Sequence, residues 1–301
     1  FSISFFSSHA MDCPNELLIE RICEIYNQIS KLDNLHPSKQ VNSLFTQLVL
    51  LCMPQCCIDI DRLSERVQGI RSKLIKLCGQ AEGLLESHYS SLIGSYDNPV
   101  DHIGVFPYYS NYVKLSQLEF SLLSSSCSEI PRTVAFVGSG PLPLSSIILA
   151  TKHLRTTRFH NYDMDSSANS KALRLVSSDP DLSGRMFFHT ANVLSLKSLR
   201  QYEVVFLAAL VGMDKEEKSQ IVEHLAEHMA PGALLLLRSA HGARAFLYPV
   251  VDPGSLQGFE VLSVFHPVDE VINSVIVARK CARPINSFNG GLQCLQPRNN
   301  V

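Results

Sequence analysis

The sequence has no surplus of basic residues to offer a polyanion. Its 26 Lys and Arg stand against 28 Asp and Glu, a formal net charge of -2. With no positive field to set up, no nucleic-acid partner is expected. Long apolar runs are also missing. Every candidate is interrupted by charge well short of the roughly 20 residues that cross a bilayer, so no membrane span is expected. Phe1 to Ala10, which precedes the first methionine, lacks a basic n-region, and serines break its apolar run. A signal peptide is therefore not expected. The segment reads as a non-native leader, with the true start at Met11. The sequence has neither an internal repeat nor a low-complexity tract.

Nine cysteines among 301 residues are odd in number and too few for a disulfide scaffold. The run Cys52-Met-Pro-Gln-Cys56-Cys57 has no second Cys/His pair at zinc-finger spacing, so buried thiols are expected there and no metal. Hydrophobic residues are 46% of the chain and charged residues 18%, which is globular composition. Together these features predict a soluble, intracellular protein. They leave both an enzyme and a binding domain open, as well as homo-oligomerisation.

What is there divides into two parts. Up to about Cys127 the apolar residues recur at helical spacing. Leu17, Leu18, Ile22, Ile25 and Ile29 sketch one helix, closed before Leu35-His36-Pro37. A second runs from Pro37 through Leu44 and Leu51 to a stop near Pro54. A third spans Ile60 to His88, with Gly79 and Gly83 as possible interruptions. A turn at Gly94 to Pro99 follows, and Phe106-Pro107-Tyr108-Tyr109 opens a fourth helix through Leu123. After Ser124 short β-rich runs alternate with helical ones. Strands are predicted at Thr133 to Val137, Arg158 to Tyr162, Met186 to Thr190, Glu203 to Ala208 and Ala233 to Arg238. Between them fall helices near Leu144 to Leu154, Ser167 to Val176 and Glu216 to Met229. This alternation specifies a parallel sheet with crossover helices. Two last runs, Phe259 to His266 and Asn273 to Arg279, suit an antiparallel pair.

The expected fold is therefore α/β. It is a Rossmann-like sheet of the S-adenosylmethionine-dependent methyltransferase type, carrying an N-terminal helical bundle. The expected divisions are 1–10 (leader), 11–127 (helical), 128–282 (S-adenosylmethionine-binding) and 283–301 (irregular tail).

The first strand of that sheet ends in Val137-Gly138-Ser139-Gly140-Pro141. Glycines there let the chain turn and approach a ligand. Gly-x-Gly alone is a weak signal, strengthened by its place between an apolar strand and a helix. Pro141 and Pro143 remove backbone donors that a pyrophosphate would require. A phosphate-free nucleotide such as S-adenosylmethionine tolerates that loss. Asp163 follows Gly140 by 23 residues, close to the spacing of a ribose-binding carboxylate. Asp165 reads as a helix N-cap. Asn192 ends the third strand within reach of an adenine edge. Ser139 and Leu207 to Leu210, with Ala208 among them, are expected to line the pocket. Arg238, His241 and Arg244 follow the fifth strand, where cations could grip substrate carboxylates. Surface solvation or capping would explain them equally well.

Five segments carry a resemblance. They are Leu77-Cys-Gly-Gln-Ala-Glu-Gly-Leu-Leu-Glu86, Phe106-Pro-Tyr-Tyr-Ser-Asn-Tyr112, Phe136-Val-Gly-Ser-Gly-Pro-Leu-Pro-Leu144, Asn161-Tyr-Asp-Met-Asp165 and Leu237-Arg-Ser-Ala-His-Gly-Ala-Arg-Ala-Phe-Leu-Tyr248. Through them the chain resembles the nicotianamine synthases of higher plants over roughly Met11 to Cys281. The resemblance implies a transferase that joins three S-adenosylmethionine molecules through their aminocarboxypropyl arms. Such an enzyme releases methylthioadenosine at each transfer and closes an azetidine ring. It implies no cofactor beyond S-adenosylmethionine as substrate and no metal in the enzyme, although its product chelates iron, zinc, copper, nickel and manganese in plants.

The resemblance further implies Glu82 as the carboxylate that activates the attacking amine and Tyr108 as its orienting partner. Glu86 or Tyr109 could take those places, since Glu82 and Glu86 share one helix face at i and i+4. Without the resemblance, both carboxylates read as a solvated helix face. Two rival readings stand beside it: a small-molecule methyltransferase and a catalytically silent S-adenosylmethionine sensor. Tyr112-Val-Lys-Leu115 matches a Tyr-x-x-apolar vesicle-sorting pattern, which leaves vesicle association open beside a cytoplasmic location. Core packing is the expected role of these four residues.

Overall fold

The strand Thr133–Val137 (β1) is apolar on both faces, as a strand covered from both sides has to be. In the computed structural model, which describes residues 14–54 and 58–282, it sits at the middle of a seven-stranded sheet. β2 (Arg158–Asp163), β3 (Met186–Thr190), β4 (Val204–Leu207) and β5 (Leu234–Ser239) run parallel to it. β6 (Phe259–Phe265) and β7 (Ser274–Lys280) finish the sheet antiparallel, giving the order β3-β2-β1-β4-β5-β7-β6. This is the expected arrangement, with strand ends within one or two residues of those read from the sequence. The expected leader, the Cys56-Cys57 pair and the tail after residue 282 lie outside the described residues.

Alternation along the strands divides the interior into two layers. Val134, Phe136, Val204, Phe206, Leu234 and Leu236 face one way. They pack with α4 (Tyr109–Ser126), α5 (Leu144–Ile148) and α6 (Ser166–Val176) through Leu115, Leu123, Ile147, Ile148 and Leu175. Ala135, Val137, Val205, Leu207, Leu235 and Leu237 face the other way, onto Ile221, Val222 and Leu225 of α8 (Lys215–His228). The helical part is thus no free-standing bundle, because its fourth helix is a layer of the sheet's own core.

α1 (Pro14–Ile29), α2 (Lys39–Cys52) and α3 (Glu65–Ile93) build a third cluster. It is closed by Ala243, Phe246 and Leu247 of the 3-10 turn that follows β5. α3 starts at its Ser64 N-cap, whose side chain accepts from the Val67 N–H. It continues unbroken for 29 residues through both glycines and past the expected end at His88. An interior glycine costs a helix about 1 kcal/mol. At Gly79 close packing offsets that cost, since a Cβ there would lie 3.2 Å from the Met213 side chain. Two further departures are local. The helix expected over Leu144 to Leu154 is α-helical only to Ile148 and continues as a π-turn over Leu149–His153. An unforeseen short helix, α7 (Pro180–Arg185), follows the Asp179 N-cap with proline at its first position.

Candidate active site

β1 delivers the loop Gly138 to Pro141 to the carboxyl edge of the sheet, the edge where open α/β sheets bind ligands. There a cleft of about 1090 Å³ opens between the sheet and α3. The volume lies just above the roughly 300–1,000 Å³ common for single-ligand pockets. Its floor is the glycine loop with Asp163, Asn192 and Ala208, and its roof is Gly79 to Ser87.

Gly138 and Gly140 have φ of 80° and 67°, a region that favours glycine. Their missing Cβ atoms make room for protein rather than only for a ligand. At Gly138 a Cβ would lie 2.2 Å from Val211, and at Gly140 2.8 Å from a carboxylate oxygen of Glu86. The Gly140 N–H donates to Asp163 Oδ2 at 2.8 Å, and the Asp165 N–H donates to Oδ1 at 3.0 Å. Each Asp163 oxygen keeps acceptor capacity for a further donor, such as a ribose hydroxyl. Asp165 caps α6, accepting from the Ser167 N–H at 2.8 Å. Ser139 lines the cleft, and its buried hydroxyl has no protein partner. The Asn192 side-chain oxygen is used locally, accepting from the Leu194 N–H at 3.0 Å.

The opposite wall holds two carboxyls on adjacent turns of α3. Glu82 Oε2 accepts from the Tyr248 hydroxyl at 2.9 Å. The Tyr112 hydroxyl lies between the pair, 3.0 Å from Glu86 Oε1 and 3.4 Å from Glu82 Oε1. Desolvation raises both carboxyls above the ordinary range. The two tyrosine hydrogen bonds and the charge of Arg238 restrain Glu82. Glu86 rises well above that range, because the negative charge of Glu82 adds to its burial. Two like-charged groups this close cannot both ionise easily. Glu82 is therefore the more acidic of the two, and Glu86 the one that holds its proton more tightly.

The structure redraws several of the residues picked from the sequence. Tyr108 is exposed and starts α4 without a capping bond, so it does not orient Glu82. Tyr112, one turn further on, and Tyr248 hold that carboxylate instead. The Tyr109 ring lies under Lys152, not at the carboxyls. Arg238 lines the cleft, but its fork is committed within the protein. Nε and Nη2 donate to the buried Glu119 at 2.7 and 2.9 Å, and Nη2 also reaches Ser145 Oγ at 2.6 Å. Burial is the largest influence and opposes its charge, but the attraction of Glu119 and its hydrogen bond, with the charges of Tyr112 and Glu82, together outweigh burial and favour the ionised guanidinium. A bidentate grip on a substrate carboxylate is thereby replaced by an electrostatic hold on Glu82. Arg244 is buried and donates to the carbonyls of Pro267, Val271, Asp269 and Met53, stapling a loop rather than facing the cleft. His241 is stacked on His266 with ring centres 4.1 Å apart, outside the cleft lining. Glu119, Tyr248 and Asn273 escaped the sequence reading. Glu119 looks like any charge on an amphipathic helix, and Asn273 like the first residue of a strand. Among the described residues, no group of three or more His, Cys, Asp or Glu is arranged to hold a metal ion.

The family model described as "Nicotianamine synthase protein" matches residues 11–285. The chain belongs to the nicotianamine synthase family. It is 62% identical to the nicotianamine synthase of Solanum lycopersicum over 94% of this chain and 90% of that protein. With nicotianamine synthase 1 of Arabidopsis thaliana it shares 56% identity over 95% and 91% of the two chains. Among solved structures, MtNAS in complex with MTA and tNA superposes with a TM-score of 0.72 at 19% identity, covering 87% of this chain and 97% of that one. A glutamate-to-glutamine mutant of MtNAS in complex with S-adenosylmethionine gives 0.72 at 20% identity over 87% and 98%. At this distance the two structures establish that the nicotianamine synthase fold is shared.

Proposed function

We propose that the cleft binds S-adenosylmethionine on the glycine loop and Asp163, and that Glu82 activates the amine that attacks it. The chain is a nicotianamine synthase. It condenses three S-adenosylmethionine molecules by aminocarboxypropyl transfer and releases three methylthioadenosines. The observation that carries the residue assignment is the carboxyl pair of α3, facing the nucleotide loop across one cleft and held by two tyrosines.

In each transfer the lone pair of an α-amine attacks the CH2 beside the sulfonium. An N–C bond forms, and the C–S bond breaks with its electrons left on sulfur. Methylthioadenosine departs as a neutral thioether. The amine is protonated near neutral pH, so its proton must pass to an acceptor before attack. Glu82, the more readily ionised of the pair, is that acceptor, steadied by Tyr248 and Tyr112. Glu86, which holds its proton more tightly, disfavours a second negative charge beside it. Asp163 holds the ribose, and Asn192 with Ala208 borders the adenine. Which carbon reacts depends on which one faces the amine at attack distance. The carboxyls on α3 would bring the amine to the aminocarboxypropyl carbon.

In this reading the part before residue 128 supplies the acid–base groups and the part from 128 to 282 supplies the nucleotide site. No helix among the described residues is long and apolar enough to cross a membrane. We place the enzyme in the cytoplasm. Vesicle sorting through Tyr112 to Leu115 would require residues of the site and of the buried core to become accessible.

The adenosine by-product tests the function. Purified protein incubated with S-adenosylmethionine should yield methylthioadenosine together with nicotianamine. S-adenosylhomocysteine as the by-product would convert the reading to a methyltransferase. Binding with no by-product would make the protein a sensor.

A further inference from the structure

A second cavity, of about 330 Å³, lies between α2, α3, α4 and the segment before β7. Four side chains line both it and the main cleft: Glu82, Tyr112, Tyr248 and Asn273. Three of them are already tied together by the tyrosine hydrogen bonds to Glu82. Asn273 is different. It is 8% exposed, and its side-chain Nδ2 is buried with no hydrogen-bond partner. A buried donor left unpaired costs about 1–3 kcal/mol, so such a group in a cavity wall marks a place where a ligand acceptor belongs.

The protein also fixes where that donor stands. Asn273 directly precedes Ser274, which pairs with Ser239 at the end of β5. The segment leading to it is held at three carbonyls by Arg244. From α4, Asn111 Nδ2 donates to the Glu270 carbonyl at 2.5 Å, and Lys114 pairs with the Glu270 carboxylate. The staple built around Arg244 thus presents Asn273 to the partition between the cavities.

We propose that Asn273 binds the α-carboxylate of the accepting substrate, donating from Nδ2 while Glu82 engages the amine of the same molecule. This rests on the aminocarboxypropyl-transfer reading of the site. In an α-amino acid one carbon separates amine from carboxylate, so an acceptor group and a donor group on one partition match its two ends. Glu82 is the acceptor, and the Arg238 fork is occupied by Glu119 and Ser145. Asn273 is the unpaired donor of the four partition residues. It is a substrate-positioning contact for the acceptor and has no part in holding the donor's adenosine.

The test compares wild type with Asn273→Leu and the isosteric Asn273→Asp, each checked for an unchanged melting temperature. Methylthioadenosine affinity reports the nucleotide site, and nicotianamine formation with release of incomplete chains reports the acceptor. Loss of one hydrogen bond to a charged group predicts turnover lower by about tenfold or more. Asn273→Asp should be the slower variant, because its carboxylate repels that of the substrate. Methylthioadenosine affinity should hold, and incomplete chains should accumulate. Wild-type turnover in both variants would overturn the assignment. So would methylthioadenosine affinity falling in step with turnover, the mark of a purely structural role. If Asn273→Leu fails to fold, Asn273→Asp alone decides. Wild-type protein that released no methylthioadenosine would remove the function itself, and this assignment with it.

Discussion

At the scale of single residues the account rests on α3. Glu82→Gln should lower turnover by on the order of 10²–10⁴-fold, the usual worth of general acid–base catalysis. It should leave S-adenosylmethionine binding intact, which titration calorimetry checks; wild-type turnover would remove Glu82 from the base role. Glu86 makes a prediction of opposite character. Its folded carboxyl titrates well above the ordinary value of 4.5, chiefly through burial and then through the charge of Glu82. The folded state therefore binds the proton more tightly than the unfolded chain. Stability is lost as pH rises from about 4.5 toward the raised folded value. Glu86→Gln should be more stable than wild type near neutral pH, with the gap closing in acid. Denaturant melts across that range would show it, and a constant gap would contradict it.

Much at this scale was legible in the sequence: the paired glutamates at one helical turn, Gly138 and Gly140 after an apolar strand, and Asp163 beside that loop. The partners of Glu82 were not. Tyr108, the N-cap of α4, and Tyr112 on that helix are four residues apart, and only packing distinguishes the exposed ring from the one inside. Tyr248 comes from a segment 166 residues away, a pairing that no local pattern encodes.

At the scale of elements, the loop between β4 and α8 is the piece with the most unusual chemistry. Lys218 is buried in the first turns of α8 and donates through Nζ to the carbonyls of Ala209, at 2.9 Å, and Val211. Those carbonyls bracket Leu210, which lines the cleft beside Ala208 and Val211. Burial lowers the Lys218 pKa from 10.5 to about 7. Between those values the unfolded chain holds a proton that the folded chain has released, so this lysine makes stability rise with pH over that window. Lys218→Met should flatten the rise, read as melting temperature against pH from 7 to 10. An unchanged slope would show that Lys218 does not titrate there. The elements themselves were largely readable, since period-2 and period-3.6 patterns are local signals. The exceptions have local causes. Gly79 stays within α3, with the Met213 side chain packed close against it, and α5 ends early where the chain takes a π-turn.

At the scale of the whole molecule, two expected domains share one interior. Leu115 and Leu123 of α4 are as buried as the strands they cover, and the cleft has one wall from each part. In the proposed reading, that union lets an amine held on α3 meet a sulfonium carbon held on the glycine loop. A sequence divided at residue 127 does not reveal it. The resemblance to nicotianamine synthases spans both parts, which is why it pointed to the chemistry when neither part alone did. The most direct measurement is isotopic. S-adenosylmethionine labelled in its methyl group, and separately in its aminocarboxypropyl arm, is turned over by purified enzyme and the products are weighed by mass spectrometry. All methyl label should appear in methylthioadenosine and all arm label in nicotianamine, with three methylthioadenosines per nicotianamine. Methyl label in the larger product, or S-adenosylhomocysteine in place of methylthioadenosine, would contradict the account.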